Sequence, residues 1–206
     1  NIVTNKILFY KSIKNLSDNK IKTYLNYNDI NNQYPIIAKK IDGIGAEESY
    51  IFKNKRDICD NSHLLTSSHF FQEYINGAVI GINIASNKDE FNIISINEQN
   101  YKIFSKRSLK LDSIHMGKYN YLHNKFQNLI NNLMKNFIGY NGFFGIDAIL
   151  TNSNEIFFLE INPRLTTSYA GLKETIGFNP LNFLYNKKLK FNINNNADFL
   201  VKINNE

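Results

Sequence analysis

The chain has 206 residues, 43% of them hydrophobic and 14% aromatic, which is enough to bury a core in one large domain or two small ones. Because the lysines are scattered and no basic block is interleaved with stacking aromatics, the formal net charge of +6 favours a small anionic partner such as a nucleotide over nucleic acid. The single cysteine excludes an internal disulfide and no apolar run reaches the length of a membrane span, so we expect a cytoplasmic protein that contacts no membrane.

The first predicted element is a helix over residues 5–14. Apolar residues at positions 7, 8, 9, 10 and 13 follow a helical pattern, and Thr4 or Asn5 can serve as the N-cap. Lys6 lies in the first turn, where the residues alone favour an ordinary solvated lysine. A polar linker follows at residues 29–34.

A strand is predicted at residues 35–39, and it leads into a loop with two glycines. Gly43 and Gly45 let the backbone come close to a phosphate, whose charge the loop N–H groups can receive. The pattern is neither a P-loop, which needs a closing Gly-Lys-Ser/Thr, nor a dinucleotide fingerprint, which needs a third glycine. Lys39, just before the loop, is costly to bury without an anion, and this favours a phosphate contact.

The next informative stretch covers residues 70–77, after a predicted returning strand at 49–52 and a polar connection. An apolar strand that enters a turn at Gly77 presents backbone N–H and C=O groups able to hydrogen-bond an adenine edge. His63 and His69, before this strand, are interpreted as surface or capping residues.

Several further elements are predicted in the second half of the chain. Residues 79–85 and 91–96 are predicted as paired strands. Residues 101–117 show no clear periodicity and are interpreted as a loop whose basic groups either hold a substrate carboxylate or stay solvated. Residues 121–138 carry the apolar stripe of an amphipathic helix, and a short helix is predicted at 166–176.

Two buried strands are predicted in the stretches 145–150 and 157–164, and each carries polar groups where a core would be apolar. Asp147 lies among apolar neighbours and would need a partner if it were buried, while Glu160 and Asn162 share one face of their strand. If the polar break between the strands forms a hairpin, the three side chains converge on one side of the sheet. Two carboxylates and an amide oxygen suit Mg²⁺, or Mn²⁺ in its place. The alternative is a hairpin with solvated acids on its open face.

The spacing of these three residues, followed by Pro163 and Arg164, resembles the metal and phosphate end of the ATP-grasp family of carboxylate-amine ligases. The string EINPRLTTSY at residues 160–169 is similar to the branch that contains tyramine-glutamate ligase, an enzyme of methanofuran biosynthesis. The resemblance implies an α+β fold in which two lobes with antiparallel sheets sandwich ATP.

The resemblance also divides the chain. It implies a leading helix and linker at residues 1–24, a small lobe with the glycine loop at 25–75, and a large lobe with the metal site at 76–206. The chain starts with Asn1 in what resembles the middle of a ligase, so we expect the family's preceding α/β domain to be missing.

The resemblance further implies the site residues. Arg164 and Lys39 would act in catalysis, with Arg164 near a phosphate beside the metal. The metal ligands would be Asp147, Glu160 and Asn162. The ATP contacts would be Lys6, Lys39, Gly43, Gly45, Gln72, Glu73, Tyr74 and Ile75. Two departures from the family are visible: Asn5 replaces the acid of an Asp-Lys pair, and Ala78 and Val79 stand where relatives carry a ribose-binding acid.

By resemblance, the function is ATP-dependent amide formation through an acyl phosphate, with glutamate as the acid and tyramine or a similar small molecule as the amine. The chemistry needs no protein nucleophile, because positioning and charge neutralisation carry it. Two alternatives stay open: a nucleotide-binding module without catalysis, and a basic nucleic-acid-binding protein. A homodimer is kept open as the assembly state.

Overall fold

The strands of the protein form two antiparallel sheets, of four and six strands, in an α+β arrangement. This confirms the fold class expected from the sequence. The computed structural model describes residues 5–13, 20–43, 46, 48–87, 90–103, 108–135, 140–182 and 199–203. Within those ranges, no helix combines the length and the apolar character needed to cross a membrane.

The four-stranded sheet has the order β1-β4-β2-β3. Its strands are β1 Thr23–Tyr24, β2 Ile36–Lys40, β3 Tyr50–Phe52 and β4 His69–Glu73. Ile36 and Ala38 are fully buried in a core shared with helix α2 (Lys55–Asp60). Because side chains alternate along a strand, Ile37 and Lys39 lie on the opposite face, toward the second sheet.

The six-stranded sheet has the order β10-β7-β6-β5-β8-β9. Its strands are β5 Ala78–Asn87, β6 Glu90–Ile103, β7 Leu109–Met116, β8 Gly142–Leu150, β9 Ile156–Asn162 and β10 Phe199–Lys202. Alternate residues of β5 enter the main core, and the residues between them, such as Gly81 and Asn83, lie on the other face. That second face carries the polar groups of the candidate site.

Two helices cover the first face of this sheet, α1 (Lys6–Ile13) and α3 (His123–Met134). Phe9 and Ile13 of α1 belong to the same core as Phe126 and Ile130 of α3. The Asn5 side chain accepts a hydrogen bond from the Leu8 N–H at 3.1 Å, so Asn5 is the N-cap. Helix α1 therefore packs on the large sheet, although it precedes the small sheet in the chain.

The last helix, α4 (Leu172–Ile176), follows a 3-10 turn at Thr167–Gly171 and ends at Gly177, whose φ of 80° is left-handed. It packs on the second face of the six-stranded sheet, against Ile114 and Met116. The polar groups of that face lie beside this smaller apolar cluster.

The prediction of a loop over residues 101–117 is wrong for the residues described there. Strand β6 continues to Ile103, and residues from Leu109 onward form β7, paired with β6. A register shift at Asn100 and Tyr101 breaks the period of two, and Lys102 forms a surface ion pair with Asp112 at 2.7 Å. A strand in which the alternation of buried and exposed residues is interrupted, and which carries exposed charges, has the sequence pattern of a basic loop.

The two histidines before β4 differ in their surroundings. His63 is exposed, whereas His69 is buried at 5% exposure. The Nδ1 atom of His69 accepts a hydrogen bond from the Thr66 N–H at 3.0 Å, and its Nε2 lies 3.0 Å from the Glu48 carbonyl. His69 is therefore a buried capping residue that connects the start of β4 to the end of the glycine loop.

Candidate functional site

The two sheets face each other across a cavity of about 440 Å³. Both sheets contribute to its walls, and its volume is in the range typical of small-molecule sites. The polar side chains that line it include Lys6, Lys39, Gln72, Gln99, Asp147 and Glu160.

The carboxylate end of the cavity is built by the hairpin of β8 and β9. Asp147 and Glu160 are directly opposite each other in the register, and a bulge follows between Asp147 and Ala148. The Asn162 amide donates to Oδ2 of Asp147 at 2.9 Å. The convergence expected from the hairpin is present, because strand pairing places these alternate residues on one face.

The two carboxyl groups affect each other strongly. Burial, together with the charge of Glu160 and a hydrogen bond between the two side chains, raises the pKa of Asp147 to about 7. The described residues contain no group of three or more His, Cys, Asp and Glu that could hold a metal. Two carboxylates and the Asn162 amide oxygen would form a donor set that fits Mg²⁺, with water and phosphate completing its coordination. Metal binding by these residues stays a prediction.

Two lysines face the carboxylates. The Lys6 ammonium lies 3.0 Å from Oε2 of Glu160 and also donates to the Gly43 carbonyl, so α1, β9 and the loop meet at this residue. Burial lowers the pKa of Lys39 to about 8, and the charge of Glu160 partly offsets this effect. A cationic group that is desolvated beside a cavity would be stabilised by an anion such as phosphate.

Residues 72–75, at the end of β4 and here called the hinge, also line the cavity. The Glu73 carboxylate accepts from the Lys22 N–H at 2.9 Å, so this side chain secures β1 to the hinge. The Gln72 amide donates to Thr23 at 3.1 Å, whereas its Oε1 is buried without a hydrogen-bond partner among the described residues. The position of the hinge agrees with an adenine site, whose occupancy stays a prediction.

Among the predicted site residues that the structure describes, Arg164 does not join this arrangement. Arg164 is exposed, is absent from the cavity lining, and donates to the Leu165 carbonyl at 3.2 Å. Gly45 lies outside the described residues. The phosphate contacts proposed for both remain predictions.

Gln99 and Tyr101 of β6 are further residues at this site that the sequence did not predict. The Tyr101 hydroxyl donates to Oε1 of Gln99 at 2.8 Å, and the Gln99 amide donates to Oδ1 of Asp147 at 2.8 Å. A signal was present, because Ser95, Asn97 and Gln99 repeat at the strand period of two. The predicted strand ended at residue 96, before this polar row was complete.

A family profile described as the ATP-grasp domain matches residues 3–168. This chain belongs to the ATP-grasp family. The match includes α1, both sheets up to β9, and all the predicted site residues of this ATP-grasp chain.

Two curated relatives carry the name tyramine-L-glutamate ligase. The protein from Methanocaldococcus jannaschii is 30% identical over 159 residues, which are 77% of this chain and 46% of the relative. The protein from Methanocaldococcus fervens is 29% identical over 140 residues, which are 66% of this chain and 40% of the relative. The chain thus spans less than half the length of these relatives.

Solved structures with the ATP-grasp fold are similar at lower identity. An L-amino acid ligase from Bacillus licheniformis has a TM-score of 0.69 at 13% identity, covering 93% of this chain and 49% of that chain. The biotin carboxylase domain of a 2-oxoglutarate carboxylase from Hydrogenobacter thermophilus, solved with MgADP, has a TM-score of 0.69 at 12% identity, covering 85% of this chain and 43% of that one. At such identity the likeness shows the fold.

Proposed function

We propose that this chain is the ATP-binding core of an ATP-dependent carboxylate-amine ligase. The observation that carries the proposal is the grouping of Lys6, Lys39, Asp147 and Glu160 in a cavity that residues 72–75 also line. A nucleoside triphosphate would use both groups, since its phosphates are anionic and its base is a flat aromatic ring with a hydrogen-bonding edge. The ligase names of the curated relatives support the same class.

Each part of the cavity has a task in this proposal. The hinge holds adenine, and Lys6 and Lys39 bind the phosphates. Asp147, Glu160 and Asn162 would hold Mg²⁺, or Mn²⁺, which when bound supplies positive charge to the triphosphate. On binding, a phosphate oxygen would replace Glu160 as the partner of the Lys6 ammonium.

We propose glutamate as the acid and tyramine as the amine, on the strength of the relatives' names. A carboxylate oxygen of the acid attacks the γ-phosphorus and ADP leaves. The amine nitrogen then attacks the acyl carbon, inorganic phosphate leaves with the bonding electron pair, and the nitrogen loses a proton to give the amide. The protein contributes positioning and charge rather than a nucleophile. We place the reaction in the cytoplasm, where ATP is available.

A nucleotide-binding module without independent catalysis is the second candidate. The observation that favours it is the length of the match, because the chain spans 46% and 40% of the two curated relatives. Under this candidate the cavity binds Mg-ATP, but ADP release requires residues beyond this chain.

The test measures nucleotide binding and turnover separately. Mg-ATP binding is followed by calorimetry at low and physiological salt, since binding to nucleic acid would fall steeply with salt. ADP release is followed with glutamate and tyramine together and with each omitted, and the amide is identified by mass spectrometry. ADP release that needs both substrates supports the ligase, and binding without release supports the module. Absence of Mg-ATP binding would contradict both.

A further inference from the structure

The Asp147 carboxylate is held by neutral amides on both of its oxygens. Oδ1 accepts from the Gln99 amide at 2.8 Å, and Oδ2 accepts from the Asn162 amide at 2.9 Å. Glu160 differs, because it is paired with the Lys6 ammonium at 3.0 Å. The neighbouring carboxylates are thus supported by different chemistry, amide donors in one case and a cation in the other.

The orientation of the Gln99 amide is determined by Tyr101. The Tyr101 hydroxyl donates to Oε1 of Gln99 at 2.8 Å, which leaves Nε2 directed at Asp147. An ionised Asp147 carboxylate only accepts, so it requires the amide N–H on its side, and the Tyr101 hydroxyl stabilises this orientation by donating to the carbonyl oxygen. The reversed amide would lose the bond to Asp147. Burial raises the pKa of Tyr101 above its ordinary range, so the phenol keeps its proton.

Gly81 makes room for this amide. It lies on β5 opposite Asp147 in the pairing with β8. A Cβ atom at position 81 would stand 2.4 Å from Nε2 of Gln99, closer than any real contact of that kind. A glycine is therefore needed where the Gln99 amide crosses β5 to reach Asp147.

We propose that Gln99, oriented by Tyr101 and accommodated by Gly81, is a positioning residue for the metal ligand Asp147. The bond from Gln99 holds Oδ1 while Oδ2 accepts from Asn162, so the plane of the carboxylate is fixed, and Asp147 would be held in place for a metal ion. Hydrogen bonds from outside a ligand set orient the ligands and change metal affinity. The inference rests on the proposed function, because it takes Asp147 as a metal ligand.

The first test substitutes Gln99→Met, which keeps the length of the side chain and removes the amide. Mn²⁺ affinity is measured directly by electron paramagnetic resonance in the presence of a non-hydrolysable ATP analogue. We expect Mn²⁺ to bind about 10–100-fold more weakly, the usual effect of losing such a support. Tyr101→Phe, a milder change that removes only the hydroxyl, should weaken Mn²⁺ in the same direction and by less.

The matched control is Gln127→Met on α3. Its amide also bridges two groups, accepting from the Ile93 N–H at 3.2 Å and donating to the Phe91 carbonyl at 2.5 Å, away from the cavity. Gln127→Met should destabilise the protein and leave Mn²⁺ affinity unchanged. An equal loss of Mn²⁺ affinity in both variants would overturn the inference, because the effect would then be one of general stability.

The second test uses the contact between Gly81 and Gln99. Gly81→Ala should weaken Mn²⁺ binding in the native background, since the new Cβ displaces the amide. In a Gln99→Ala background the same substitution should have no further effect, because the displaced group is gone. If the loss of Mn²⁺ affinity in the double variant equals the product of the two single losses, the proposal is contradicted.

Asp147→Asn separates this inference from the proposed function. If Asp147→Asn keeps native Mn²⁺ affinity, the metal site itself is misplaced and both proposals fail. If Asp147→Asn loses Mn²⁺ while Gln99→Met and Tyr101→Phe keep it, the proposed function stands and the role of Gln99 is wrong.

Discussion

Lys39 is the residue at which stability and function oppose each other. It lies on the cavity face of β2, and burial lowers the pKa of its ammonium group to about 8 from an ordinary value of 10.5. The folded protein therefore carries an incompletely compensated charge when no anion is bound. A phosphate in the cavity would supply the missing partner.

We predict that Lys39→Met stabilises the nucleotide-free protein and weakens ATP binding. Methionine fits the half-buried site without a charge, so the free energy of unfolding at pH 7 should rise by about 1–3 kcal/mol. ATP binding should weaken by roughly 1–3 kcal/mol, the range of a charge-assisted contact. Denaturant unfolding and calorimetry measure the two effects. Native ATP affinity in the variant would show that Lys39 does not contact ATP.

The same residue predicts a pH dependence of stability. Below pH 8 the folded and unfolded chains both hold the Lys39 proton, so the cost of burying the charge is fully present. Between pH 8 and 10.5 only the unfolded chain keeps it, so this contribution makes the folded state more stable as pH rises. The stability difference between Lys39→Met and the native protein should therefore shrink over that interval. A difference that is constant from pH 7 to 10 would contradict the assignment.

The Lys6 ammonium and the proposed metal would both bind the Glu160 carboxylate. Glu160→Ala removes a proposed metal ligand and leaves Lys6 without its 3.0 Å partner. We predict loss of Mg-ATP turnover with an intact fold, because the ligand acts on the triphosphate and not on the core. ADP release and circular dichroism are the measurements. Unchanged turnover in a folded variant would remove Glu160 from the site.

At the scale of elements, strands β5 and β6 are joined to the segment after β9 by a buried polar cluster centred on Asn83. Its Oδ1 accepts from Ser95 at 3.1 Å, Asn97 at 2.7 Å and Ser168 at 2.8 Å. Its amide donates to the Thr166 hydroxyl at 3.1 Å. The polar face of the large sheet thus secures the segment that follows the ligand Asn162.

We predict that Asn83→Ala lowers the free energy of unfolding by about 1–3 kcal/mol, because buried donors lose their shared acceptor. The control is Ser86→Ala on the same strand, which loses one hydrogen bond to the Tyr140 carbonyl, 2.6 Å long, and should cost about 1 kcal/mol. Denaturant titration of both variants gives the comparison. If Asn83→Ala and Ser86→Ala lower the free energy of unfolding equally, the cluster around Asn83 contributes no more than one hydrogen bond.

At the scale of the whole molecule, the cavity is the place where the two sheets and α1 meet. The Lys6 ammonium belongs to α1, Lys39 to the small sheet and Glu160 to the large sheet. A ligand that contacts all three would connect the small sheet, which has its own core, to the large sheet and α1, which share another core.

We therefore predict that Mg-ATP stabilises the folded protein as a unit. At a hundred times the dissociation constant the gain should be about 2.7 kcal/mol, as for any ligand that binds only the folded state. Thermal unfolding with Mg-ATP should show a higher midpoint in the native protein and a smaller shift in Lys6→Met. Equal shifts in both would exclude Lys6 from the ATP contacts.

The sequence by itself determined the features that depend on neighbours in the chain. The hairpin that brings Asp147 opposite Glu160 follows from strand periodicity and a short polar turn. The position of Lys39 at the end of a strand before a glycine loop follows in the same way. These patterns involve residues that are close in the chain, so they can be recognised in the sequence. Together with the spacing before Arg164, they were enough to indicate the family and its fold.

The tertiary structure decided the contacts between residues that are distant in the chain. Lys6 reaches Glu160 because α1 packs on the large sheet, and Gln99 reaches Asp147 because β5, with Gly81, lies between their strands. The polar repeat of β6 marks Gln99 in the sequence, but the repeat does not say which residue Gln99 meets, since both contacts depend on how complete elements pack. The outward turn of Arg164 was likewise decided by the backbone after Pro163. Burial and strand order are properties of the assembled sheets, and they select which of the polar residues meet in the cavity.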